Sequence, residues 1–175
     1  DLHGYIEPRW EMVRDTGIWS FKKMGGLARI AELFRIVREK AFDSVIALDN
    51  GDTFHGTYVA TSSKGQDLIP LMNALEFDAM TVHWEFAYGP DGVQKIQKDL
   101  KYPMLAINCF YKESGELFLQ PYQIIIRNGL KIAVIGLACP IIDKTMPPSF
   151  SEGLRFTNGN KELPHWIQVV KNKEL

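Results

Sequence analysis

Cysteine is scarce in this sequence: Cys109 and Cys139 stand 30 residues apart and neither belongs to a CxxC pair. A disulfide framework and a zinc knuckle are excluded, while a single bridge, and with it the redox compartment, stays open. Long apolar runs are also lacking. The longest, Ile132 to Ile142, is broken by Gly136 and Pro140. It falls well short of the roughly 20 residues a membrane-crossing helix needs, so no membrane span is expected. Nor is either charge in excess: the formal net charge is −1, with no run of Lys and Arg. That leaves no electrostatic case for a nucleic acid polymer or an anionic membrane as partner. The chain starts at Asp1, shows no charged segment followed by an apolar one, and stops at Leu175 inside an expected helix. A processed or excised piece of a longer product is therefore expected.

What remains is ordinary globular composition, 46% hydrophobic and 23% charged over 175 residues, enough for one domain with a buried core. Leu27, Ile30, Ala31, Phe34 and Val37 recur at helical spacing with Arg29, Glu32, Arg35 and Glu39 between them, which predicts an amphipathic helix over 25–40. Ser44 to Leu48 reads as a buried strand that leaves into the turn Asp49-Asn50-Gly51-Asp52. A helix over 66–75 precedes a second strand, Ala79 to Val82, which runs into His83-Trp84-Glu85. A third unit follows: a helix over 92–100, then a strand from Pro103 to Ile107 ending at Asn108. Such alternation argues for βαβ units and a mainly parallel sheet. Tyr122–Ile126 and Lys131–Leu137 flank Asn128-Gly129, the strongest short signal for a hairpin. The proline-containing stretch 139–150 reads as a loop, and a last helix is expected over 161–171.

Three strand ends carry groups that can ligate a metal: Asp1 and His3, Asp49 and Asp52, and His83. Ligand-binding groups of open α/β sheets collect at the carboxyl ends of strands, so these can converge. A mixed Asp/His set suits Mn²⁺, Zn²⁺ or Fe. Two such ions sharing one carboxylate would activate water and orient an ester oxygen, and Asp52 is the expected bridge. Asp49 is read as a turn residue that bonds nearby backbone. The default for His3, near a terminus, and for His55, in a Gly-rich loop, is an exposed or locally hydrogen-bonded imidazole.

The strings Asp1-Leu2-His3-Gly4-Tyr5, Gly25-Gly26-Leu27-Ala28-Arg29-Ile30, Asn50-Gly51-Asp52-Thr53-Phe54-His55-Gly56-Thr57, Leu71-Met72-Asn73-Ala74-Leu75 and Asp78-Ala79-Met80-Thr81 follow one another in a family-like order. Up to about residue 140 the chain resembles calcineurin-like metallophosphoesterases, specifically the 5′-nucleotidase and 2′,3′-cyclic phosphodiesterase family. The resemblance implies an α/β fold, the αββα sandwich with mixed sheets, here incomplete. Residues 1–175 would be the N-terminal part of the metallophosphoesterase domain, without the rest of the metal domain or the C-terminal substrate domain. It further implies two divalent metal ions (Mn, Zn or Fe), with Asp1 and His3 on one and Asp52 bridging. The activity implied is hydrolysis of a small-molecule phosphoric ester by a metal-bound hydroxide, and periplasmic or extracellular relatives.

The third motif departs from the family. Where the family usually reads Gly-Asn-His-Glu-Phe-Asp, this chain has Val82-His83-Trp84-Glu85-Phe86-Ala87. His83 takes the place of the ligating Asn and can still bind metal. Trp84 and Ala87 replace the catalytic His and Asp dyad, so no catalytic residue is assigned, because an indole is neither a general acid nor a cation. A His-Trp-Glu-Phe segment is similar to that of the SoxB branch, dimanganese enzymes that release sulfate from a carrier-bound thiosulfonate. A sulfur-ester hydrolase is therefore one alternative, and a noncatalytic ligand-binding descendant another. Glu85 is read as structural, and Asn108 as a group orienting a metal ligand or as an Asx-type turn residue. His165 is the only histidine after His83, and surface packing is expected of it. The chain alone is expected to bind metal weakly and to be inactive.

Overall fold

The computed structural model describes residues 1–173. The apolar stripe read from the sequence closes a helix, α1 (Leu27–Ala41), whose Ile30 and Ala31 pack on the core while Phe34 meets the ring of Phe77 edge-on at 5.5 Å. At its far end Arg38 donates to the carbonyls of Leu75 and Glu76, satisfying the last turn of the next helix pair. That pair is α2 (Tyr58–Ser62), capped by the Thr57 hydroxyl accepting from Ala60 N, and α3 (Ile69–Leu75), with Pro70 in its first turn, where the missing N–H costs nothing. Then α4 (Gly89–Asp99) brings Val93 and Ile96 to the same core as Met72, Met80 and Met104. Each fully buried aliphatic or aromatic side chain there contributes roughly 1.5–3 kcal/mol.

The sheet is smaller than the apolar runs suggest. Pairing of the first buried run begins only at β3 (Leu48–Asp49), which lies parallel to β4 (Ala79–Met80). Upstream, Val45 O is taken by the Arg127 side chain and Ala47 N by the Asp78 carboxylate, so no ladder extends over Ser44–Ala47. The expected strand from Pro103 to Ile107 is reduced to single parallel bridges, Met80 to Met104 and Leu105 to Gln120. Gln97 Oε1 accepts the Met104 N–H and the Thr81 hydroxyl donates to Leu105 O, so side chains again stand where a ladder would run. The mainly parallel sheet is thus corrected to a narrow parallel centre with antiparallel pairs around it: β5 (Cys109–Tyr111) with β8 (Leu154–Phe156), and β6 (Tyr122–Arg127) with β7 (Leu130–Ile135). Asn128 and Gly129 turn the β6–β7 hairpin with φ of 48° and 76°, as that pair favours.

Elements the sequence did not suggest also appear. Arg9–Asp15 (β1) and Ile18–Met24 (β2) form a hairpin that leaves Trp10, Ile18 and Phe21 exposed. The stretch read as a loop contains a helical turn, α5 (Ile142–Thr145), whereas α6 (Glu162–Lys173), the last helix expected over 161–171, ends the described chain. His165 is exposed on α6 beside Trp166. Both cysteines are free thiols, with Cys109 buried and its thiol pushed well up by that burial. Leu48, Met80, Leu105, Ile135 and Leu137 line an apolar concavity of about 230 Å³. No helix among the described residues is long and apolar enough to cross a membrane.

Candidate metal centre

The site forms where three loops leave β3, β4 and the N-terminal segment. That segment is fastened to the loop after β3 by two backbone bonds, His3 N to Asp52 O and Gly4 N to Thr53 O, both 2.9 Å. The loop after β4 is fastened to β3 through Thr81 N to Asp49 O at 3.0 Å. Tight turning is needed throughout, and His3, Asp52 and Gly51 all sit at positive φ (50°, 57° and 85°). For the two residues with side chains this conformation costs roughly 1–3 kcal/mol each, a strain typical of functional sites.

Asp52 is the centre of the arrangement. Its side chain is only 5% exposed, and three imidazoles face it. His55 Nδ1 lies 3.0 Å from Oδ1, while His3 Nε2 and His83 Nδ1 lie 3.3 and 3.4 Å from Oδ2. Asp1, exposed, stands 3.7 Å from His3 Nε2. Two ligand groups share the carboxylate, His3 with Asp52 and His55, and Asp1 with Asp52 and His83, and within each the donor atoms all lie within 4.8 Å of one another. Metal ligands held at about 2.0–2.2 Å and at octahedral to tetrahedral angles are themselves about 2.8–3.6 Å apart, a range into which the three imidazole distances to Asp52 fall. Asp52 Oδ1 and His55 Nδ1 are moreover buried without a hydrogen-bond partner, close to each other but not aligned to bond. Buried polar atoms are rarely left so, and a cation between them would satisfy both.

The supporting residues behave differently from the ligand candidates. Asp49 accepts from Gly51 N at 3.0 Å and from the Thr53 hydroxyl at 2.7 Å, the local turn bonding expected of it. Burial raises its pKa above the usual carboxylate value, against the opposing pull of those two bonds. Glu85, fully buried, accepts from Thr53 N and from His83 N, both at 2.8 Å. Trp84 is half-buried; its ring stacks on His55 with centroids 5.4 Å apart at 19°. Ala87 is also half-buried and offers no polar side chain. Asn108 does not orient a ligand candidate in this geometry. Its Nδ2 donates to Ala138 O and Thr157 O and its oxygen accepts from Ala138 N, so the amide ties the end of the sheet to two later segments.

His55 is the residue that sequence reasoning passed over. It enters the site because Gly56, at φ 112°, folds the chain back against His3, where a Cβ would come within 2.7 Å of the His3 carbonyl oxygen. The glycine beside the histidine was the available signal.

No family model matches the chain. It is 30% identical over 152 residues, 85% of its length, to the NAD 5′-nucleotidase of Haemophilus influenzae, and covers 25% of that protein. The chain thus spans about a quarter of the length of the curated relatives it matches. Among solved structures, the calcineurin-like phosphoesterase YfkN of Bacillus subtilis superposes with a TM-score of 0.76 at 26% identity, covering 99% of this chain and 57% of that one. The sulfate thiohydrolase SoxB of Thermus thermophilus gives 0.81 at 23% identity over 86% of this chain and 28% of that one, a likeness of fold alone. That fold implies divalent metal binding, and the Asp52 cluster supplies candidate ligands. By sequence and fold together, the chain is a homologue of the 5′-nucleotidases among the calcineurin-like phosphoesterases.

Proposed function

We propose that the protein is a metal-dependent hydrolase of small phosphoric esters, of the 5′-nucleotidase kind, with two divalent ions (Mn, Zn or Fe) sharing Asp52. Asp1, His3 and His83 are the other ligands of this reading. Residues 1–175 then form the N-terminal part of the metal domain, with further ligands and the substrate-gripping part supplied from elsewhere, and are inactive alone. The observation that carries it is the buried Asp52 carboxylate, with one oxygen unpartnered and imidazole nitrogens 3.0, 3.3 and 3.4 Å away.

Bound ions of this type polarise an ester oxygen and lower the pKa of a coordinated water. The chain's own residues position that chemistry. Backbone bonds from His3 and Gly4 hold the N-terminal ligands against the Asp52 loop, and Glu85 locks the His83 loop to the same place. Trp84 walls the site with an apolar ring and keeps His55 in plane.

A second reading is favoured by Trp84 and Ala87: a sulfur ester, such as a thiosulfonate. Neither side chain can protonate a departing alkoxide. A sulfur leaving group is far more acidic than an alcohol, as the ordinary cysteine pKa near 8.5 illustrates, and departs without that help.

Metal analysis of the full-length protein, combined with turnover of AMP and p-nitrophenyl phosphate, tests these readings. Stoichiometric metal with phosphate release supports the first. Tight metal without any phosphate release overturns it in favour of the sulfur ester. A protein that takes up no divalent metal is a noncatalytic binder, and both hydrolytic readings fall.

A further inference from the structure

We infer that His55 is itself a metal ligand, through Nδ1, closing the coordination shell on the Oδ1 side of Asp52. This rests on the metal-binding part of the reading above and extends it to a residue outside the set Asp1, His3, Asp52 and His83.

Three independent features point to it. The first is the orphaned pair: Asp52 Oδ1 and His55 Nδ1 are both buried, 3.0 Å apart and unaligned. A neutral imidazole has one donor and one acceptor nitrogen. Two buried polar atoms this close that make no hydrogen bond to each other or to anything else suit a cation better than a proton. The second is fixation. The Trp84 ring lies nearly parallel on one side and the His3 ring 5.9 Å away on another. The backbone on either side of His55 is also pinned. The Tyr88 hydroxyl reaches Phe54 O at 2.8 Å, and Thr57 Oγ1 donates to Gly4 O at 3.0 Å. An ordinary surface histidine has no use for such anchoring, whereas a ligand must be held in its rotamer before the ion arrives. The third is grouping. His55 stands with His3 and Asp52 in one set of donor atoms that all lie within 4.8 Å of one another, apart from the set formed by Asp1, Asp52 and His83. If the carboxylate is shared by two ions, His55 would complete the donor set of the ion held by His3.

The experiment is a two-bond ¹H–¹⁵N correlation spectrum of the histidine rings of the full-length protein, recorded before and after addition of Zn²⁺. Zinc titrations by calorimetry on wild type, His55→Ala and His55→Gln accompany it. Ligation moves the His55 Nδ1 resonance to the metal-bound range and leaves Nε2 protonated, and both variants lose at least about tenfold in affinity for one ion. If Zn²⁺ shifts His3 and His83 but leaves His55 unchanged, and the variants bind as wild type, the inference is overturned while the metal-site reading stands. If no histidine shifts at millimolar Zn²⁺, both fall. The spectrum is taken on the unaltered protein, so a variant that fails to fold does not obscure the answer.

Discussion

Glu85 Oε2 accepts the backbone N–H of His83 at 2.8 Å, and through its other oxygen the same carboxylate accepts Thr53 N, also at 2.8 Å. One fully buried side chain thus joins the loop that carries Asp52 to the loop that carries His83. The two loops come from sequence positions about thirty apart, yet their ligands must be placed within a few tenths of an ångström. A carboxylate is suited to the task because it accepts on both oxygens and has no donor to misplace.

Replacing Glu85 by Gln keeps the shape but turns one acceptor into an N–H₂ group that faces a backbone N–H. We expect a loss of about 1.5–3 kcal/mol, the cost of a broken charge-assisted bond and an unsatisfied buried donor. Divalent metal affinity should fall by about 10–100-fold, as when an outer support of a metal ligand is removed. Urea denaturation and metal titration check the two effects separately. A variant matching wild type in both would mean that the carboxylate is not the fastener described.

Gly51 lies in the same junction. At φ 85°, a Cβ there would meet His83 N at 2.9 Å, Thr81 O at 3.0 Å and Glu85 Oε2 at 3.1 Å. Gly51→Ala combines a disfavoured backbone conformation with three contacts against atoms that cannot move independently. A destabilisation of more than about 2 kcal/mol is expected, and thermal or chemical unfolding measures it. Gly129→Ala, at φ 76° but with open space around its Cβ, should cost only about 1 kcal/mol and serves as the comparison.

These junctions explain what was legible in the sequence. Asp52 and His83 follow strand-like runs, and strand ends are where such groups meet, whereas Asp1 and His3 were legible through the family-like string Asp1-Leu2-His3-Gly4-Tyr5. Helix α1 and the Asn128-Gly129 hairpin carried strong periodicity and turn chemistry. The β1–β2 hairpin did not, because exposed apolar and charged residues alternate on strands that bury neither face. Its only local signal was Thr16-Gly17, both at positive φ. His55 was only half legible: Gly56 beside it signalled the reverse bend, but the ring that stacks on it, Trp84, stands 29 residues away and belongs to no local pattern. Asn108 was readable as important but not for what, since its partners Ala138 and Thr157 come from later segments.

Asp49 gives a pH prediction. Burial raises its folded pKa above that of the unfolded chain, so the fold prefers the protonated carboxyl. Stability from this group is therefore fully present below the unfolded value near 4 and is lost as pH rises through the higher folded pKa. Asp49→Asn removes the titrating group while its amide oxygen still accepts from Gly51 N, and the Thr53 hydroxyl can rotate to accept from its N–H₂. The variant should be no less stable than wild type at pH 7 and should show a flatter stability profile between pH 4 and the folded pKa, outcomes read by urea denaturation across pH. A profile unchanged by the substitution would locate the pH dependence elsewhere.

Trp84 and Ala87 offer the sharpest test of the chemistry. In the resembling family these two positions carry a His and an Asp that act as a pair, and here an indole and a methyl stand instead. The double variant Trp84→His with Ala87→Asp restores an imidazole with an orienting carboxylate beside the Asp52 cluster. General acid assistance matters most when the leaving group is a poor one, and it is worth about 10²–10⁴-fold in favourable cases. In the full-length protein the ribose alkoxide of AMP should therefore gain far more than the p-nitrophenolate of p-nitrophenyl phosphate, which departs readily unaided. A rise of about 100-fold for AMP, with only a few-fold change for the aryl ester, is the expected pattern. Trp84→Phe, which keeps an aromatic ring against His55 but supplies no proton, is the control and should raise neither rate. Equal changes for both substrates would show that the substitution altered packing around His55 and not proton delivery, and the missing dyad would then not be what sets the chemistry of this site.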